Sequence, residues 1–218
     1  MKKYFILFTL IVSFTTAAIF FVIISKNKNS AKTEIKLSTN PSNKEEFCCV
    51  ENLQAAGYSD NSIYQLKSIW RDENNTEVSL NKFYGKKVIL SMIYTNCTIA
   101  CPVIVNEMQR LEALIPGNAV NNYNFVVVSI DPKRDTPSRM KKFAEDRNLN
   151  LKRWTLLTGS VYNIAELAQA IGFRYKENQS GLFKHSNLIT FINTKGEITD
   201  KIEGLNPKNE EFLTLLNK

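Results

Sequence analysis

Tyr94-Thr95-Asn96-Cys97-Thr98-Ile99-Ala100-Cys101-Pro102 is a corner between two segments of different period. Ahead of it, Val88-Ile89-Leu90-Ser91-Met92-Ile93 is an almost unbroken apolar run, which suits a strand buried on both faces. Behind it, Ile104, Met108, Leu111 and Ile115 recur at helical spacing, which predicts an amphipathic helix from about 102 to 115, closed by Pro116-Gly117. Pro102 suits the first helical turn, where a missing N–H costs nothing. The corner thus sets two cysteines beside the positive end of a helix dipole. That setting favours thiolates, the form that attacks disulfides and binds soft metals. A structural disulfide or a pair of packed thiols is the plainer alternative.

Outward from the corner the two periods continue to alternate. Phe125-Val126-Val127-Val128-Ser129-Ile130 predicts a second fully buried strand. Asp135-Thr136-Pro137 starts a helix with proline at its first position, continuing through Met140, Phe143 and Ala144. Trp154-Thr155-Leu156-Leu157 predicts a short strand. Ser160 caps a helix with Ile164, Leu167, Ala168 and Ile171 inward, and Gly172 ends it. Residues 188–192 and 197–202 predict an antiparallel hairpin turning at Gly196. Pro207 opens a last helix with Phe212, Leu215 and Leu216 apolar. Upstream, 63–70 and 77–80 flank Asp72-Glu73-Asn74-Asn75 and predict an N-terminal hairpin. The order predicts an α/β domain of three layers, with helices on both faces of a sheet.

The net charge of +7 raises the question of nucleic acid, and its distribution answers it. Residues 1–44 carry seven lysines and one acid, whereas 45–218 carry 21 basic and 20 acidic residues. The folded part is close to neutral, so a nucleic-acid-binding domain is not supported. From Tyr4 to Ile24 there is no charge. As a helix this run would reach roughly 31 Å, about one hydrocarbon core. It outlasts the small-residue site at Thr16-Ala17-Ala18, which favours an uncleaved anchor over a signal peptide. The expected organisation is a membrane anchor over 1–24, a solvated Lys/Asn/Ser/Thr-rich tether over 25–46, and a domain over 47–218.

His185 is the only histidine, and it sits just before the apolar run at 188–192, after the Ser180-Gly181 loop. A loop there could reach over the cysteine corner. Two thiolates and an imidazole make a soft donor set suited to copper or zinc. Closed structural zinc sites want four ligands, and the other thiols, Cys48 and Cys49, lie by the tether. A redox dithiol with a nearby base needs no metal at all. Met92, Met108 and Met140 fit apolar faces and are expected in the core. Asp131 to Pro137, at the end of a buried strand, is expected either to cap and ion-pair or to support the site.

Four strings together resemble the Sco family: Cys97-x3-Cys101-Pro102, then Val128-Ser129-Ile130-Asp131-Pro132-Lys133-Arg134-Asp135-Thr136-Pro137, then Trp154-x2-Leu157-Thr158-Gly159, then Lys184-His185-Ser186. The resemblance runs from about residue 60 to the end and includes the anchor, tether and domain layout. It implies a thioredoxin-like fold and a copper site made of Cys97, Cys101 and His185. It also implies a role in assembling the copper centre of cytochrome c oxidase, either by carrying copper or by reducing partner cysteines through the Cys97/Cys101 dithiol. The implied partners are the oxidase's copper-site subunit or another copper chaperone, and the implied place is the extracytoplasmic face of a bacterial inner membrane. Two features depart from the family pattern: Thr98 stands where a proline usually follows the first cysteine, and Cys48-Cys49 has no counterpart. Peroxiredoxins share the fold, but their Pro-x3-Thr-x2-Cys pattern fails here because position 94 is Tyr.

Overall fold

The computed structural model describes residues 57–205 and 208–216. The expected anchor, the tether, Cys48, Cys49 and Pro207 lie outside the described residues. Among the described residues no helix is long and apolar enough to cross a membrane.

Nine strands and four helices follow one another along these residues: β1 (Ile69–Arg71), β2 (Glu77–Ser79), β3 (Lys87–Ile93), α1 (Ala100–Leu114), β4 (Tyr123–Ser129), α2 (Pro137–Asp146), β5 (Trp154–Leu157), α3 (Val161–Ile171), β6 (Tyr175–Glu177), β7 (Phe183–His185), β8 (Leu188–Ile192), β9 (Ile198–Glu203) and α4 (Asn209–Leu216). Five of the strands form one mixed sheet in the order β5-β4-β3-β8-β9. The pairs β3–β4 and β4–β5 are parallel; β3–β8 and β8–β9 are antiparallel. Every residue of β3 from Val88 onward and all of β8 is buried, as unbroken apolar runs require when both sheet faces are covered.

This topology decides where the site falls. Parallel pairing of Ile93 with Ser129 brings the loops after β3 and β4 to the same sheet edge. Antiparallel pairing of Ser91 with Ile189 brings the start of β8, and His185 just before it, to that edge as well. Sites in open α/β sheets gather at the carboxyl ends of parallel strands for this reason.

The caps agree with the sequence. Thr136 and Ser160 accept from the Arg139 and Asn163 amides, and Gly172 closes α3 with φ 74°. Gly196 turns the β8–β9 hairpin at φ 86°, and a Cβ there would overlap Ser62 Oγ and the Tyr64 ring. Met92, Met108 and Met140 are fully buried, as expected, and Trp154 stacks on Phe125 with centroids 5.0 Å apart.

Two expectations need correction. The first arm of the N-terminal hairpin is shorter than the predicted 63–70. Ile63–Gln65 is a 3-10 turn, because the Ser62 hydroxyl accepts from the Tyr64 amide and diverts the chain from a strand. The surviving hairpin is tied to the end of β5 by two bonds between Arg71 and Thr158. It buries Trp70 against Gly159, where any Cβ would strike the indole. The helix after the corner also begins two residues early, at Ala100 rather than Pro102, because proline is tolerated throughout a first turn.

Candidate metal centre

The corner after β3 is held before any metal is considered. Tyr94 is buried, its carbonyl accepts from the Cys97 amide at 3.2 Å, and its hydroxyl donates to the Phe183 carbonyl at 3.5 Å. Cys97 is half-buried in the loop, while Cys101 is fully buried in the first turn of α1. Both thiols are free, and the Cys101 amide donates to Cys97 Sγ at 3.4 Å. The helix start therefore solvates one sulfur with the other cysteine's own backbone.

His185 comes from a hairpin of β6 and β7, in place of the loop expected after Ser180-Gly181. Its Nδ1 lies 2.8 Å from the Ser186 carbonyl oxygen. A carbonyl can only accept, so Nδ1 carries a proton; this leaves Nε2 to donate to a thiolate when it too is protonated, or to offer a lone pair to a metal when it is not. That Nε2 faces Cys101 Sγ at 3.4 Å. Tyr94 meets the imidazole edge-on at 5.8 Å and Phe173 stacks on it at 5.9 Å, which leaves the ring little freedom to turn.

Cys97 Sγ, Cys101 Sγ and a His185 ring nitrogen all lie within 4.8 Å of one another. Around one ion, with bonds of about 2.3 Å to sulfur and 2.0 Å to nitrogen, the ligand atoms stand roughly 3.5–4 Å apart. The three donors fit a single soft ion with small adjustments, and two sulfurs with one imidazole is a set that favours copper or zinc.

The two thiols are not equivalent. Burial works against a charge on Cys97, but the Cys101 amide, the His185 side chain and the Ile99 amide outweigh it and bring the thiol down to about 6. Burial pushes the Cys101 thiol well above its ordinary value, and the neighbouring Cys97 sulfur adds to that. One sulfur thus favours the thiolate, and the other favours the protonated thiol.

The Asp131–Pro137 loop supports both halves of the site. Asp135, fully buried, accepts from the Thr95 amide at 3.0 Å, the Thr95 hydroxyl at 2.5 Å and the Ser129 hydroxyl at 2.6 Å. It therefore pins the cysteine loop to the end of β4. Arg134 bridges the Asp131 carboxylate and the Gly181 carbonyl, and Lys133 pairs with Glu177 at 3.8 Å, which ties the same loop to the β6–β7 hairpin. The sequence brought out Cys97, Cys101, His185 and this loop. It did not single out Tyr94, Thr95, Phe173 or Ser186 as parts of the site. For Phe173 a signal existed: it directly follows the helix-ending Gly172 and is apolar where a surface turn would be polar.

The SCO1/SenC family model matches residues 67–217. The chain is 28% identical over 100 residues to the SCO1 protein homolog of Bacillus subtilis, covering 46% of this chain and 50% of that protein. It thus spans about half the length of the first curated relatives it matches. Among solved structures, that of Arabidopsis thaliana ScoI with copper bound aligns with a TM-score of 0.60 at 20% identity, covering 67% of this chain and 91% of that one. BsSco, described as carrying a disulfide switch and as a member of the Sco family of cytochrome c oxidase assembly proteins, aligns with a TM-score of 0.57 at 24% identity, covering 67% and 87%. At these identities the two structures establish the shared fold.

Proposed function

This chain belongs to the SCO1/SenC family, and from that premise we propose that it binds copper through Cys97, Cys101 and His185 and delivers it to, or matures, the copper centre of cytochrome c oxidase. The observation that carries the reading is the convergence of three soft donors from two distant chain segments within 4.8 Å, with the His185 tautomer set to offer Nε2. Relatives described with copper bound and as oxidase assembly proteins support it. Copper is cargo here. Cys97 meets it as a thiolate, Cys101 gives up a proton on binding, and His185 supplies a neutral nitrogen. The partner is the oxidase's copper-site subunit or a second copper chaperone. The domain works from a bacterial inner membrane, facing away from the cytoplasm, where thiols escape cytosolic reductants.

The asymmetry of the thiols favours a second reading, a thiol–disulfide oxidoreductase. The Cys97 thiolate attacks a partner disulfide, forming a mixed disulfide and releasing one partner thiolate. Cys101, once deprotonated, then attacks Cys97 Sγ and releases the second thiolate. The partner gains two electrons, and the Cys97/Cys101 pair loses them.

Both readings use the same sulfurs, so one experiment separates them. Buffered copper is titrated into matched reduced and oxidised samples of the full chain and of His185→Ala. The expected result is one copper per reduced chain, weak uptake by the oxidised chain and a sharp loss in His185→Ala. Equal affinity in the two redox states would remove the dithiol from the metal site. Undiminished disulfide exchange in His185→Ala, together with no copper uptake by the reduced chain, would leave the oxidoreductase.

A further inference from the structure

The β6–β7 hairpin carries His185 on one face and an unbalanced charge on the other. Tyr175 pairs with His185 across the ladder, and Lys176 pairs directly with Lys184. Alternation along a strand puts Lys176 and Lys184 on the face opposite the imidazole. Arg174 precedes β6, and Arg174, Lys176 and Lys184 line one open groove of about 300 Å³ together with Tyr175, His185 and Ser186. All three cations are exposed, and among the described residues none has a carboxylate partner. The one acid on the hairpin, Glu177, is engaged by Lys133.

Like charges directly opposite each other destabilise a two-stranded ladder, a loss that the hairpin's Tyr175–Phe183 and Tyr94–Phe183 ring contacts have to offset. The Lys176–Lys184 pair itself therefore works against the hairpin. Its position is what makes it useful, because it lies on the back of the strand that holds a copper ligand. We propose that this groove is a docking site for an acidic segment of the protein that exchanges copper or electrons with the chain. The proposal rests on the copper-delivery reading, which supplies a protein partner that must come to this edge of the sheet. Carboxylates seated between Arg174, Lys176 and Lys184 would relieve the repulsion and guide the encounter, as charge complementarity at an interface does.

The test uses the full chain, a fluorescent ten-residue glutamate peptide and its glutamine counterpart, with anisotropy read at low and high salt. Lys184→Glu is the informative variant, because it creates an opposite-charge pair with Lys176 across the ladder. It should melt at or above the temperature of the parent and yet bind the acidic peptide about tenfold more weakly. Lys176→Gln should weaken binding severalfold, whereas Lys152→Gln, an exposed lysine elsewhere, should match the parent. Carbodiimide should cross-link the peptide to Lys176 and Lys184 ahead of other lysines. Equal peptide affinity in Lys184→Glu and Lys152→Gln would overturn the proposal. So would adsorption to phosphatidylglycerol vesicles that depends on Lys184 without any peptide binding, since the groove would then serve a membrane. Copper uptake by the parent, followed in the same samples, reports separately on the copper reading.

Discussion

Alkylation of Cys97 in the reduced, metal-free chain should follow a titration with its midpoint near 6, because that is where the corner brings this thiol. At pH 7 roughly nine-tenths of it is then thiolate, against roughly one-hundredth for a thiol left at 9.0. The gain in rate is smaller than the gain in thiolate. With a Brønsted slope of 0.4–0.5, a fall from 9 to 6 costs a factor of roughly 20 in intrinsic nucleophilicity. The net expectation at pH 7 is alkylation about fourfold faster than that of an unperturbed thiol, with a plateau above pH 7 rather than a continuing rise. Cys101 should react only at far higher pH, since it is buried and its thiol is pushed up. His185→Ala should move the Cys97 midpoint upward but short of 9, because the Cys101 and Ile99 amides remain as partners. Iodoacetamide labelling from pH 4.5 to 10, with the two cysteines separated at peptide level by mass spectrometry, gives both profiles. A Cys97 midpoint between 8 and 9 would refute the reasoning, as would an identical midpoint in His185→Ala. The sign for folding is also set. Cys97 releases its proton more readily folded than unfolded, so the reduced chain gains stability as pH rises from about 6 toward 9 and loses it as pH falls through 6. The raised Cys101 thiol opposes this only at higher pH.

Asp135→Asn turns an acceptor of three hydrogen bonds into a group that must donate with one arm, leaving a Thr95 or Ser129 donor unmet. A loss of about 2–4 kcal/mol is expected, read in a thermal melt as a fall of about 5–15 °C; an unchanged melt would show that this carboxylate does not hold the corner. A reporter fused after Lys218 should be active only outside the cytoplasm, and a cytoplasmic signal would overturn both the assigned compartment and the assigned partner.

The parts of the fold that read clearly are those where burial imposes a period. Val88 to Ile93 and Phe125 to Ser129 are apolar at nearly every position because both sheet faces are covered, and Ile104, Met108 and Leu111 recur on the buried face of α1. The β6–β7 hairpin left no such trace. Its strands are three residues long, it pairs with no other strand, and Lys176 and Lys184 occupy positions where an alternating pattern would show only a surface face. Ile63 and Tyr64 misled for the opposite reason: both are buried, but by a 3-10 turn that shows no strand period. At the site, the cysteines and His185 were legible because their chemistry narrows what they can do. The groups that aim them were not, because the Ser186 carbonyl, the Cys101 amide and the Tyr94 carbonyl are backbone atoms that every sequence possesses.

Under the proposed function, oxidation and metal binding would use the same two sulfurs but join different parts of the molecule. A Cys97–Cys101 disulfide closes a loop within one corner and makes no demand on His185. An ion held by this donor set would span the corner and the hairpin, whose contacting residues Cys101 and His185 are 84 positions apart. Closing the longer loop would order more chain, so metal rather than oxidation would couple β6–β7 to the start of α1. Without metal, the hairpin is tied to the rest by the Arg134 bridge, the Lys133–Glu177 pair and aromatic contacts with Tyr94. The face that presents Lys176 and Lys184 is the back of the strand that the ion would hold. A partner docked on that face, as proposed, would be placed to sense whether the chain is loaded, because loss of the ion would loosen the element against which it rests.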